Sequence, residues 1–129
     1  MTVRQEMNDL VRVLESYFDG LYFADSKILS DVFHREARYV NTVEGDYVNY
    51  SVAEYFEVVD GRKPPASDGQ VRADRVLSIE FGSPQMAFAK VAMTMMGRNY
   101  LDYLTLVKEN DAWRIMAKVF SYTPTTREK

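Results

Sequence analysis

The sequence contains no cysteine and only one histidine, His34, among its 129 residues. The lack of cysteine excludes disulfide bonds, thiolate nucleophiles and cysteine-ligated zinc or iron–sulfur sites. A single histidine excludes a histidine-cluster metal site within one chain, and it leaves His34 as the only imidazole for acid–base chemistry. No acidic residues stand at a spacing diagnostic of a metal site, and no glycine-rich phosphate loop or dinucleotide fingerprint is present. We therefore expect neither a metal nor a cofactor.

Positive charge is also scarce. The chain carries 16 Lys and Arg against 19 Asp and Glu, a net charge of -3, and the two signs are interleaved. Phosphate neutralisation supplies most of the affinity of nucleic-acid binders, so no nucleic-acid partner is expected. The N-terminal residues lack an apolar signal core, and no window is long and apolar enough to span a bilayer. These absences predict no membrane association and a cytoplasmic location.

What is present is the composition of a folded protein. Hydrophobic residues make up 47% of the chain and charged residues 27%. A chain of this length has the size of one ordinary domain and buries roughly two thirds of its unfolded surface. No internal repeat or linker interrupts it, so residues 1–129 are predicted to form a single domain.

Apolar periodicity and turn residues divide the chain into helices followed by strands. Capping-box spacing, Thr2 with Gln5 and Ser51 with Glu54, marks two helix starts. Gly20 suits a break or the end of the first helix. The predicted elements are a helix over 2–21, a short helix opened by Asp25 or Ser26, a hairpin of 38–43 with 46–50, a helix over 51–59, a loop without regular structure over 62–69, four strands over 71–81, 86–96, 100–108 and 112–122, and a fraying tail over 123–129.

Segregated helices and strands indicate an α+β fold. The strands over 86–96 and 100–107 are apolar on both alternating faces, and helices that cover one face account for only half of that pattern. A homodimer packed sheet to sheet explains the second face. A ligand cavity lined by that face is the rival explanation, and both apply if different parts of the sheet are used.

Several segments together resemble the nuclear transport factor two-like superfamily. They are Tyr17-Phe-Asp-Gly-Leu21, Phe33-His34, Ser51-Val-Ala-Glu-Tyr55, and Asp102-Tyr-Leu-Thr-Leu-Val-Lys108 followed by Trp113-Arg-Ile115 and Lys118-Val-Phe120. The chain is most similar to the SnoaL-like and ketosteroid isomerase-like branch that carries the family name "Putative lumazine-binding". The resemblance implies a cone-shaped, cystatin-like α+β fold, with three N-terminal helices on a curved, mostly antiparallel sheet.

This superfamily includes isomerase-like, cyclase-like, dehydratase-like and epoxide hydrolase-like enzymes as well as non-catalytic transport and association modules, so the fold does not fix the function. A His–Asp couple is usual among the resembling dehydratases and cyclases. Many relatives read His-Pro-Asp-Ala where this chain reads His34-Arg-Glu-Ala37. That departure counts against carrying an enzymatic role over to this chain.

Two residues are the candidate catalytic groups, Asp102 and His34. Aspartate is disfavoured inside strands, so Asp102 needs a reason to be there. The functional interpretation is a general base, or a protonated donor, whose pKa is raised in an apolar cup; the structural interpretation is an edge carboxylate or an ion pair with an arginine. His34 either assists Asp102 or lies at the end of a helix, where the dipole favours it.

Five aromatic side chains are the candidate ligand-binding group: Tyr17, Tyr39, Tyr55, Tyr100 and Trp113. A tyrosine ring lines an apolar wall while its hydroxyl donates a hydrogen bond to developing negative charge. The alternative for each is a core position with its polar atom at the rim, and for Trp113 a core anchor.

Three functions remain open from the sequence. The first is a small-molecule-binding domain with an apolar cavity between helices and sheet, for a small apolar or aromatic ligand. The second is a cofactor-independent lyase or isomerase with an Asp-His-Tyr acid–base site. The third is a dimerisation module without a ligand. Whether the protein is an enzyme is left undecided by the sequence.

Overall fold

The helices precede most of the strands, as the sequence predicts for an α+β fold. A computed structural model describes residues 2–125. Its elements are α1 (Val3–Tyr22), α2 (Ser26–Ser30), β1 (Phe33–Asn41), β2 (Val48–Ser51), α3 (Val52–Asp60), a 3-10 helix (Pro65–Asp68), β3 (Asp74–Ser83), β4 (Met86–Met95), β5 (Arg98–Glu109) and β6 (Ala112–Pro124). The predicted order of elements is confirmed, and the predicted tail beyond residue 125 lies outside the described residues.

The strands form one six-stranded sheet in the order β2-β1-β6-β5-β4-β3. All neighbouring strands pair antiparallel except β1 and β6, which are parallel. The last strand therefore lies in the middle of the sheet, between the first strand and the long hairpin partner β5. The mostly antiparallel sheet with helices on one face is the predicted cone-shaped architecture.

Helix α1 begins at the predicted capping box. The Thr2 hydroxyl accepts from the Gln5 amide, and the Gln5 side chain accepts from the Thr2 amide. Its buried stripe is Leu10, Leu14, Tyr17, Phe18, Gly20 and Leu21, the helical spacing expected of a face that packs on a core.

Gly20 does not end α1, contrary to the prediction, because the helix continues through Tyr22. A Cβ built at this position would stand 2.4 Å from Leu29 Cδ2. The glycine therefore allows α2 to pack directly against α1, and close approach explains it better than a cap.

The other helices begin with side-chain caps. The Asp25 carboxylate accepts from the Lys27 and Ile28 amides and opens α2. Ser51 and Glu54 form the predicted capping box of α3. These caps satisfy amide groups that would otherwise lack partners in the first turn.

Two stretches differ from the predicted structure. The segment 62–69 contains the 3-10 helix Pro65–Asp68, because a proline at the first position of a helical turn has a suitable φ and needs no amide partner. Strand β1 starts at Phe33 rather than at residue 38, since the Ile115 amide of β6 already bonds the Val32 carbonyl. His34 consequently lies inside a strand.

The core fills the space between the helices and one face of the sheet. Its fully buried members include Leu10 and Leu14 from α1, Tyr55 from α3 and Leu104 from β5. Along the central strands, buried inner residues alternate with outer residues that are more exposed. Among residues 2–125, no helix has the length and apolar character needed to cross a membrane.

Candidate functional site

Asp102 lies in the middle of β5 on the face that the helices cover. Its side chain alternates in phase with Leu104 and Leu106, and all three residues are 0% exposed. Burial raises the pKa of Asp102 above its usual range, while the nearby Lys118 ammonium and a hydrogen bond from Tyr17 act in the opposite direction. The sheet thus holds a carboxylate in an apolar interior, where a charge is costly without partners.

Tyr17 of α1 is the hydrogen-bond partner of Asp102. Its place in the apolar stripe of α1 turns the ring toward the sheet, and its hydroxyl donates to Asp102 Oδ2. Burial and the adjacent carboxylate raise the pKa of Tyr17 well above its usual value. The phenol therefore keeps its proton at neutral pH and acts as a fixed donor.

The third polar group is Lys118 of β6, which is not among the site residues predicted from the sequence. Lys118 is only 5% exposed. Its Nζ lies 3.8 Å from Asp102 Oδ2 and donates to the Tyr55 hydroxyl at 3.4 Å. Four rings, which we call the aromatic cage, surround the ammonium with centroids 5.0 to 5.2 Å from Nζ: Tyr17, Tyr39, Tyr55 and Phe120. Ring faces attract a cation most strongly where water is excluded.

A signal for Lys118 exists in the sequence, but a bulge conceals it. Counting by twos from Trp113 reaches Ile115 and would place Lys118 on the outer face. The β5–β6 register shifts at Leu106, which pairs with Ile115 while the preceding Thr105 pairs with Ala117. Counting back from Phe120 instead places Lys118 on the inner face, where it lies.

A cavity of about 10 Å³ adjoins the Asp102–Lys118 pair. Its walls include Leu21, Tyr39, Tyr100 and the methionines of the β4–β5 end, and Arg62 reaches it from the segment after α3. Asp102 Oδ1 is buried and has no hydrogen-bond partner among the described residues. A cavity of this size holds about one water molecule, so a larger ligand enters only if the lining side chains move.

The predicted ligand-binding aromatics divide into two groups. Tyr17, Tyr39 and Tyr55 belong to the aromatic cage, and Tyr39 stacks on Tyr55 with centroids 4.2 Å apart. Tyr100 lines the cavity beside them. Trp113 does not join this site: its indole donates to Glu6 Oε1 at 3.1 Å. The observed contacts of Trp113 are those of a core anchor.

His34 does not meet Asp102, which corrects the predicted pair. Its Nδ1 accepts from the Glu36 amide at 3.0 Å, and its Nε2 lies 3.0 Å from Glu109 Oε1. Since Nδ1 accepts, the ring proton is on Nε2 and is donated to Glu109. Each ring nitrogen of His34 therefore has a partner other than Asp102. Because β1 starts at Phe33, His34 lies beside the end of β5, where Glu109 is.

His34 and Glu109 line a separate cleft of about 440 Å³. Phe33, Arg35 and Phe56 are also among its lining residues. Asp102 and Lys118 are not among its lining residues. Within residues 2–125, no cluster of three or more His, Cys, Asp or Glu is placed to hold a metal ion.

Residues 5–121 match the sequence model of the family described as "Putative lumazine-binding". The chain belongs to this family. The matched range includes Tyr17, Asp102 and Lys118, so all three of these buried residues lie in the part of the chain that the family's sequence model covers. No curated protein matches the sequence.

Solved structures of low sequence identity have the same fold. An NTF2-like protein of unknown function from Shewanella baltica OS155 is 23% identical, with a TM-score of 0.84 over 97% of this chain and 99% of that one. One from Silicibacter pomeroyi DSS-3 is 21% identical, with a TM-score of 0.83 over 95% and 100%. A ketosteroid isomerase-like protein from Erwinia carotovora atroseptica SCRI1043 is 14% identical, with a TM-score of 0.73 over 92% and 98%. These likenesses confirm the nuclear transport factor two-like fold.

Beside the small cavity, the buried polar groups therefore include one acid, Asp102, one ammonium, Lys118, and the tyrosine hydroxyls around them. The acid and the ammonium come from adjacent central strands, and Tyr17 comes from the long helix that packs on them. The arrangement places a carboxyl group and an ammonium group side by side, buried among aromatic rings.

Proposed function

We propose that the protein binds a small, flat, polar molecule between its helices and its sheet, with Asp102 and Lys118 as the polar groups of the site. The observation that carries this proposal is the buried ion pair itself. A buried pair loses much of its Coulomb attraction to desolvation, and apolar side chains of similar volume are often as stable. Charges retained inside an apolar interior point to a function of the site rather than to stability alone.

The side chains that line the cavity of about 10 Å³ can rearrange to admit a ligand larger than the cavity. Met93, Met95 and Met96 form one wall, and unbranched methionine side chains change rotamer more readily than branched ones. Arg62, which is half-buried, stands at the same cavity. Rearrangement of these four side chains would open the site without a change in the backbone of the sheet.

The family description supports the same proposal, because lumazine is a small planar heterocycle with polar edges. The aromatic cage offers ring faces on which such a molecule stacks. The ligand of this chain is accordingly expected to be of that size and polarity.

The test is a titration with lumazine, followed by calorimetry and by the fluorescence of the ligand. We expect saturable binding to the natural protein and its loss in the double variant Asp102→Leu/Lys118→Met. Lys27→Met is the matched control, since Lys27 is exposed on α2 and lines neither the interior cavity nor the outer face of the sheet. Absence of saturation up to about 1 mM, or equal binding by the double variant, would refute the proposal; a Kd of 1 mM corresponds to about 4 kcal/mol.

Binding is proposed in preference to acid–base catalysis by Asp102 with His34. That alternative needs both groups within hydrogen-bond reach of one substrate. His34 instead serves Glu109 and the Glu36 amide. The partners of His34 therefore support binding in preference to an acid–base site that needs both groups.

We also propose a homodimer formed through the outer face of the sheet. Leu101, Tyr103 and Val119 are 38%, 44% and 38% exposed on the central strands β5 and β6. The register places Tyr103 opposite Val119, so these side chains are contiguous on one face. Exposed apolar side chains in the middle of a sheet favour burial against a partner over contact with water.

Light scattering after size exclusion tests the dimer. We expect twice the chain mass of 14.9 kDa for the natural protein and a single chain mass for Tyr103→Glu. Tyr47→Glu is the control, because Tyr47 is 64% exposed in the loop between β1 and β2. A monomeric natural protein, or a Tyr103→Glu variant that still dimerises, would contradict this assembly.

A further inference from the structure

We infer that the ligand of the interior site presents a hydrogen-bond donor next to an acceptor, as the N–H and C=O of a cyclic amide or imide do. The inference rests on the proposed binding function and specifies the chemical class of the ligand. It follows from which atoms of Asp102 and Lys118 still lack partners.

The acceptor of the site is Asp102 Oδ1. The other oxygen, Oδ2, receives the Tyr17 hydroxyl and faces the Lys118 ammonium at 3.8 Å. Burial raises the pKa of Asp102, and both neighbours oppose that effect by stabilising the carboxylate. As a carboxylate, Asp102 only accepts hydrogen bonds. Oδ1 is buried, borders the cavity through its residue and takes no hydrogen bond from the described residues. A ligand that fills this site must therefore offer a donor to Oδ1, since an unmatched buried acceptor is costly.

The donor of the site is Lys118 Nζ. An ammonium has three N–H bonds, and within the described residues the Tyr55 hydroxyl at 3.4 Å is the one acceptor in hydrogen-bond range. Asp102 Oδ2 at 3.8 Å attracts the charge at a longer distance. Lys118 lines the same cavity as Asp102, so an N–H remains available for an acceptor on the ligand.

The sheet holds these two groups side by side. Leu104 of β5 pairs with Lys118, and Asp102 is two residues away on the same strand and face. Diagonal neighbours of this kind are within reach of each other when a side chain is long. One flat molecule with adjacent donor and acceptor atoms meets both groups through a single edge.

The same pair of groups rejects other classes of ligand. A plain carboxylate offers no donor and repels Oδ1, an amine cation is repelled by Lys118, and a hydrocarbon leaves both groups unpaired. Selectivity then comes from unpaired or repelled polar groups as much as from attraction. Cyclic amides and imides avoid all three penalties.

The experiment compares lumazine with 1,3-dimethyllumazine, which keeps both carbonyl groups and lacks both ring N–H donors. We expect lumazine to bind the natural protein about 10- to 100-fold more tightly, the loss that follows from one unsatisfied buried acceptor. In Asp102→Leu/Lys118→Met, the ratio of the two dissociation constants should fall to about 1, even if both probes bind only weakly. If that variant does not fold, 1-methyllumazine and 3-methyllumazine, which each keep one ring N–H, are compared on the natural protein: one of them should bind about as tightly as lumazine, and equal weakening of both would overturn the inference.

The outcomes separate this inference from the proposed function. Saturable but equal binding of both probes to the natural protein would overturn the donor–acceptor edge and leave the binding site intact. A preference that survives unchanged in the double variant would show that the methyl groups merely clash, and would also overturn the inference. Failure of both probes to bind would overturn the proposed binding function and this inference with it.

Discussion

Replacement of Lys118 by methionine tests whether the buried pair behaves as a unit. Lys118→Met keeps an unbranched side chain inside the aromatic cage and removes the charge. At 3.8 Å, the lost Coulomb attraction is about 4 kcal/mol with an effective dielectric constant of about 20. Removal of one member of a buried pair typically costs about 3–5 kcal/mol, because the other charge is left uncompensated. We expect the free energy of unfolding to fall by that amount at pH 8.

The same variant has a predictable pH dependence. Without Lys118, only the Tyr17 hydrogen bond opposes the effect of burial on Asp102, so the pKa of the folded carboxyl rises further above its ordinary value. A raised acid pKa means that the folded state binds more protons than the unfolded state, and stability is then lost as the pH rises. The destabilisation of Lys118→Met should therefore be smaller at pH 5 than at pH 8.

Urea unfolding of four proteins measures the coupling: the natural chain, Lys118→Met, Asp102→Leu and the double variant. The double variant should regain most of the stability lost in either single variant, because neither charge is then left unpaired. Lys27→Met on the exposed side of α2 is the matched control and should change stability by less than about 1 kcal/mol. A cost below about 1 kcal/mol for Lys118→Met, or additive losses in the double variant, would refute the reasoning.

Two further predictions concern packing and acid stability. Gly20→Ala should lower the free energy of unfolding by about 1–3 kcal/mol, because the added Cβ would stand 2.4 Å from Leu29 Cδ2. The control is Gly61→Ala, whose Cβ meets nothing nearer than 3.7 Å and which should leave the urea midpoint nearly unchanged. Equal effects of the two substitutions would contradict the packing argument. Hydrogen bonds from side chains of β5 and β6 lower the pKa of Glu6, so its contribution to stability is present above its ordinary pKa and is lost as the pH falls. Glu6→Gln should therefore flatten the fall of Tm below about pH 4.5, whereas Glu15→Gln on the same helix should leave that slope as it is; a Glu6→Gln slope that matches the natural one would refute the assignment.

The fold was predictable because its signals are local. Capping boxes at Thr2 and Ser51 mark the helix starts, and alternation with short turns marks the long strands. The start of β1 was missed because its first residues pair with β6 from the far end of the chain, through Ile115. A short helix followed directly by a strand gives no local sign of such a long-range bond.

The site was only partly predictable, for the same reason. Asp102 stood out because an aspartate inside a strand is unusual. Lys118 did not, since a strand lysine ordinarily faces solvent, and the bulge before it reverses the face that counting assigns. His34 contacts Glu109 and the Glu36 amide, whereas the predicted pairing with Asp102 followed the His–Asp couple of the resembling enzymes and assumed that the fold brings the two residues together. Sequence position carries no information on that.

The position of β6 in the middle of the sheet has a consequence for how the chain folds. Strand β6 is bordered on one side by β1, about eighty residues earlier in the chain, and on the other by its hairpin partner β5. Until residues 112–124 dock, β1 and β2 are separated from the rest of the sheet, and Lys118 is absent from the interior that Asp102 enters. The hairpin of β5 and β6 forms from local contacts, but the parallel bonds to β1 require a long loop to close, which slows folding. Docking of β6 onto β1 therefore completes the sheet, and the same step brings Lys118 and Asp102 into one interior together with the residues of β1.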